Sequence, residues 1–139
     1  MLDFPEEDTF QDCRGRKVTF RYALLDAGNI YSVRALEVTK RTHPREFCAY
    51  DTRDPYNALW KLRRWIPEEL NKRYFSEEKG SPFADLNFDY FRGTISCDSG
   101  ERGACLVVDG KKMSMNHLER LLTSREGWHI EIKITEELA

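Results

Sequence analysis

The sequence contains no C-x-x-C pair, no glycine-rich phosphate loop, no H-E-x-x-H helix and no G-x-S-x-G elbow. The spacings used by paired-cysteine zinc sites, nucleotide-binding loops, zinc peptidases and α/β-hydrolases are therefore missing, and an enzyme has to be built from isolated residues. The expectation is a protein without catalysis of its own. No apolar run approaches the ~18 residues of a membrane-spanning helix. The opening "MLDFPEEDTFQDC" is acidic and interrupted by Pro5, without the basic and apolar regions of a secretory signal, so the expected compartment is the cytoplasm. Histidine is scarce, at 3 residues, and the 4 cysteines (Cys13, Cys48, Cys97, Cys105) are scattered. Free, mostly buried thiols are the expectation for them in a reducing compartment.

The 139 residues are 40% hydrophobic and 12% aromatic, the composition of a globular chain. A chain of this length buries roughly two-thirds of its unfolded surface, so it needs no metal, disulfide or cofactor to fold. The net charge of −2 conceals a segregation. Residues 1–13 carry five acidic and no basic side chains, whereas residues 14–45 carry an excess of six positive charges. Either the acidic tip folds over the basic region, or that region faces an anionic partner.

Hydrophobic periodicity gives the elements. "KVTFRYALL" alternates with Val18, Phe20, Tyr22 and Leu24 on one face, "DAGN" turns, and "IYSVRALEV" resumes strand character, so residues 17–38 read as a hairpin. The alternation changes phase at Ala35 and Leu36, which suggests a bulge. "REFCAYD" is a third strand. Asp54-Pro55 starts a helix, and Leu59, Leu62, Ile66, Leu70 and Tyr74 carry its apolar stripe to about Phe75, with a kink or restart at Pro67. Residues 76–82 are a loop. "FDYFRGTISC" and Leu106–Val108 are strands, Gly93 leaving room for a bulge or close backbone contact, and Asp109-Gly110 is a tight turn. Ser114 caps a second helix with Met113 positioned to pack on Leu118, Leu118, Leu121 and Leu122 form its buried stripe, and Gly127 stops it. "WHIEIKIT" alternates most cleanly of all, with Trp128, Ile130, Ile132 and Ile134 on one side and His129, Glu131 and Lys133 on the other. The expected fold is a single α+β domain over residues 14–139 behind an acidic segment of residues 1–13. Its order is β-β-β-α-β-β-α-β, with a mostly antiparallel sheet and both helices on one face.

The segment "RGTISCDSGERGACLVVDGKKMSMNHLERLLTSREGWHIEIKI" resembles the C-terminal half of an uncharacterised bacterial domain family. Its marks are a strand beginning R-G, an acidic turn, an apolar strand ending in D-G-K, a Ser-capped helix and an E-G-W/F strand. "VTFRYALLDAGNIYSVRALEV" and "DPYNALWKLRRWIPEELNKRYF" resemble that family's N-terminal half, so the likeness spans about residues 14–135. It implies no activity, cofactor or catalytic residue. Relatives place a cysteine-rich knuckle ahead of the domain, whereas only Cys13 precedes the first strand here.

Isolated residues supply the remaining candidates. His43, Cys48 and Asp51 have the chemistry of base, nucleophile and orienter, but five residues apart on a strand His43 and Cys48 face opposite ways. A zinc site has to be assembled from Cys48, Cys97, Cys105 and His43, with Cys97 and Cys105 facing each other across a hairpin as its nucleus. Asp85, Asp89 and Asp98 are the carboxylates for a hard cation. His117 and Glu119, two apart on a helix, do not share a face. A nucleic-acid surface draws on Arg14, Arg16, Lys17, Lys40, Arg41, Arg45, Lys61 and Arg64. Trp60 and Trp65 flank the first helix's stripe and are the candidate protein interface. The expected function is a small protein-interaction module, with homodimerisation among the associations it allows. Nucleic-acid binding and a Cys/His or carboxylate enzyme are the alternatives.

Overall fold

Val18, Phe20 and Tyr22 alternate along their strand and all three are buried, as the period-two pattern requires. The structure, a computed structural model, describes residues 4–40, 44–76, 82–97 and 103–137. The class is α+β, and the described strands pair only antiparallel. The chain divides into one unit of Met1–Lys72 with Ile134–Ala139 and another of Arg73–Lys133, each with its own sheet and helix.

In the first unit β1 (Glu7–Gln11), β2 (Lys17–Asp26), β3 (Tyr31–Glu37) and β4 (Glu46–Asp51) lie side by side in that order, followed by helix α1 (Pro55–Leu70). Asp26 accepts the N–H of Gly28 at 2.9 Å and Gly28 has φ 90°, which makes the expected β2–β3 turn. No bulge interrupts this ladder: every pairing from Phe20–Glu37 to Asp26–Tyr31 stays in step. The change of phase at Ala35 and Leu36 arises because Val33 and Ala35 enter the core while Leu36 and Val38 are exposed. Asp54 caps α1 through the N–H of Tyr56 at 2.9 Å, and Pro55 opens it. Ala58, Leu59, Leu62, Ile66 and Leu70 pack on Phe20, Val33, Ala35 and Ala49. Each fully buried Leu or Ile side chain contributes roughly 1.5–3 kcal/mol.

α1 runs unbroken through Pro67 and ends at Leu70, short of the expected Phe75. Only the last turn loses an N–H to the proline, and beyond it the chain is bound otherwise. Cys13 donates its N–H to the carbonyl of Leu70 at 3.0 Å. The described part of the acidic segment lies on the basic region, β1 pairing with β2 and Asp12 with Arg16 at 3.3 Å. Asp8 on β1 accepts from the Tyr22 hydroxyl and from Arg63 Nε, both at 2.7 Å.

In the second unit β5 (Thr94–Cys97), β6 (Ala104–Val108) and β7 (Lys111–Met113) form a three-stranded sheet, and α2 (Met115–Thr123) packs on β7. Asp109 and Gly110 both have positive φ, 54° and 74°, and join Val108 to Lys111 in a two-residue hairpin of type I′ character. A Cβ on Gly93 would lie 2.7 Å from the Val107 carbonyl oxygen, so only glycine fits there. Tyr74, Phe75, Phe83, Val108, Met113 and Leu121 form the core, with Leu118 against it. The Asp109 carboxylate accepts the N–H groups of Tyr74 and Phe75 at 2.9 and 2.8 Å, which holds these two residues out of helical hydrogen bonding.

Three further expectations change in this unit. Leu122 is exposed, since one turn of a short helix buries Leu121 alone. α2 stops at Thr123, and Gly127, with φ 90°, closes the turn that follows it. The run "WHIEIKIT" forms no ladder with any described residue. Its alternation marks a face suited to burial, but no described strand edge meets it.

Candidate interaction surface

The unpaired run begins where Trp128 donates its N–H to the Arg125 carbonyl at 3.0 Å, with the Arg125 guanidinium over the indole ring. From His129 to Ile134 no backbone N–H or C=O bonds to another described residue. None of these residues has a positive φ, and none is helical. Trp128, Ile130, Ile132 and Ile134 are 74%, 64%, 77% and 76% exposed, and His129, Glu131 and Lys133 are exposed as well. Soluble chains rarely leave four large apolar side chains open at alternate positions. Within the first unit the chain beyond is pinned. Glu136 accepts from the Tyr50 hydroxyl, and Glu137 accepts from Lys61 Nζ at 3.0 Å and from the Tyr50 N–H at 3.3 Å. The hydrogen bond to Glu136, then the one to Cys48, then burial push the Tyr50 phenol above its usual range.

Trp60 and Trp65 do not form one patch. Five residues apart on α1, they point about 140° from each other. Trp60 is 62% exposed with Arg63 over its ring at 5.5 Å, while Trp65 packs against the core.

The basic candidates lie in the first unit, and four of them face carboxylates. Arg16 pairs with Asp12 at 3.3 Å, Arg45 with buried Glu37 at 3.1 Å, Lys61 with Glu137 at 3.0 Å and Arg64 with Glu68 at 3.7 Å. Arg14, Lys17 and Lys40 are exposed, and Arg41 lies outside the described residues. Burial raises the pKa of Asp8, but the bonds from Arg63 and Tyr22 and the Arg63 charge outweigh it, leaving Asp8 below the usual carboxylate range.

The catalytic and metal candidates do not converge among the described residues. Cys48 is buried beside Ser32, with Oγ and Sγ 3.6 Å apart, and His43 lies outside the described residues. Cys97 pairs with Ala104 while the neighbouring Cys105 pairs with Ser96, so the two thiols lie on opposite faces of the sheet and do not meet. Asp98 is also outside the described residues; Asp85 accepts the Ser76 N–H through its backbone, and Asp89 is exposed. No group of three or more His, Cys, Asp or Glu suited to a metal occurs among the described residues. His117 serves the fold: its Nδ1 accepts the Ser114 N–H at 3.1 Å while the Ser114 hydroxyl accepts the His117 N–H at 3.2 Å, a capping box with histidine in the usual Glu position. A shallow depression of about 500 Å³ over α2 is lined by Asn116, Glu119, Arg120, Thr123 and Ser124, all from that one helix or its cap.

One comparison with known proteins bears on the C-terminal half. Residues 74–139 match the model of a domain of unknown function, DUF7713. No curated protein and no solved structure matches the chain. The DUF7713 match covers just under half of the chain, starting one residue inside the second unit and running through the unpaired segment to the C-terminus. It thus includes the Asp109-Gly110 hairpin, the Ser114 cap and all four exposed apolar residues. Among the described residues no helix is long and apolar enough to cross a membrane.

The sequence pointed to Trp60 and Trp65 as the candidate interface and to 128–134 as a strand with one buried face, whereas the apolar side chains of that run are exposed. The signal was present in its uninterrupted alternation, which served equally well as evidence for a buried strand.

Proposed function

We propose that this chain works by binding protein, and that the 128–134 segment is the element that binds. The observation carrying this reading is the combination of four open apolar side chains at period two with backbone groups that, from His129 to Ile134, bond no other described residue. Such a segment is completed by another polypeptide strand, which supplies N–H and C=O groups along its edge and side chains over its face. Nucleic acid is the weaker reading, because four of the candidate cations already face carboxylates. Catalysis plays no part in this reading. The resemblance over residues 14–135, a bacterial source and a cytoplasmic location belong to the same reading; four free thiols are compatible with that compartment.

The test is affinity capture with the full chain, comparing it with an Ile130→Lys/Ile132→Lys variant of matched circular dichroism. Protein binding, to itself or to another polypeptide, is expected to be lost in the variant. Identical bound proteins and identical molecular mass for both would refute the proposal.

A further inference from the structure

We infer that the 128–134 segment pairs with the same segment of a second copy, antiparallel about a two-fold axis at Ile132. This rests on the proposed protein-binding role and names the partner. The sequence is self-complementary in one register. With Ile132 opposite Ile132, Ile130 faces Ile134 and Glu131 faces Lys133, each twice because the axis repeats every pair.

Neighbouring registers are worse. Centring on Glu131 sets two carboxylates directly against each other. Centring on Ile130 pairs Ile132 with Trp128 but sets Glu131 against His129, Lys133 against Gly127 and Ile134 against Glu126, whereas the register at Ile132 leaves only its outer positions, Trp128 against Glu136 and His129 against Thr135, unmatched. The register at Ile132 alone matches apolar with apolar and acid with base from residue 130 to residue 134. The side chains involved are accessible: Ile130, Glu131, Ile132, Lys133 and Ile134 are all exposed, and neither Glu131 nor Lys133 has an ion pair among the described residues. The patch is small, so the dimer is expected to be concentration-dependent, with dissociation in about the micromolar-to-millimolar range.

Charge reversal tests the register on the full chain. Molecular mass is measured by sedimentation or light scattering over a concentration series, with circular dichroism confirming the fold of each protein. Glu131→Lys sets lysine against lysine, and Lys133→Glu sets glutamate against glutamate; each is expected to weaken the dimer about tenfold. The double exchange Glu131→Lys/Lys133→Glu restores it. A mixture of the two single variants forms a heterodimer, because every pair is then opposite in charge. A monomeric wild type, a dimer insensitive to either single change, or a double exchange that fails to restore it overturns the inference. A monomer that nonetheless captures another protein, and loses it in Ile130→Lys/Ile132→Lys, overturns self-pairing while leaving the protein-binding role standing. A dimer unchanged by Ile130→Lys/Ile132→Lys, with the same captured proteins, overturns both.

Discussion

β2 and the 128–134 segment carry the same pattern and meet opposite fates. Val18, Phe20 and Tyr22 alternate and are buried; Trp128, Ile130, Ile132 and Ile134 alternate and are open. β2 has β1 on one edge, β3 on the other and the core of α1 over its apolar face. The later segment has no such neighbour among the described residues. Alternation therefore states which side of a strand is fit for burial, and leaves unstated whether the same chain supplies the cover. On the proposed reading, an apolar run that its own chain leaves uncovered is a surface for another polypeptide.

The largest effect that breaks the comparison lies in β2. Phe20→Ala is expected to cost about 3–5 kcal/mol, read as a fall in the urea midpoint, because Phe20 is fully buried against Phe10 and Phe47. In the second unit Asp109→Ala removes the acceptor for two backbone N–H groups and places alanine at positive φ; a loss of about 2–3 kcal/mol is expected in the same measurement.

β1, which closes one edge of β2, gives a pH-dependent prediction. The Asp8 pKa is lowered in the fold, so its stabilisation is present above the unfolded carboxyl value of about 3.9 and is lost as pH falls through the folded value. Asp8→Asn is expected to cost about 1–2 kcal/mol at neutral pH and to flatten the decline of the urea midpoint under acid. The smallest effect is the most informative. Ile132→Lys should change the stability of the isolated chain by no more than about 0.5 kcal/mol, in sharp contrast to Phe20→Ala, while abolishing dimer formation.

Much of the fold was legible because it is written in local chemistry. Asp54-Pro55 starts α1, Asp26 and Gly28 turn the first hairpin, Asp109-Gly110 turns the second, and Ser114 caps α2. These signals need only neighbours within a few residues. β1 was not legible, since "EDTFQ" is held by distant groups, Tyr22 and Arg63 bonding Asp8. The end of α1 was obscured because the helical stripe continues to Tyr74, while the partner that captures the N–H groups of Tyr74 and Phe75 is Asp109, 34 or more residues away. Two sheets instead of one follow from which strands pair, a long-range choice that periodicity does not encode. The candidate surface was legible as a pattern but not as a surface, because exposure depends on what the remainder of the chain leaves uncovered.

Hydrogen exchange along the full chain, measured across a concentration series, addresses the central claim most directly. Amides of β2 should be protected at every concentration. Those of residues 129–134 should exchange freely in dilute protein and gain protection as concentration rises, in step with the dimer mass. Amides of 129–134 that stay unprotected while the protein dimerises, or that are protected in the dilute monomer, would contradict it.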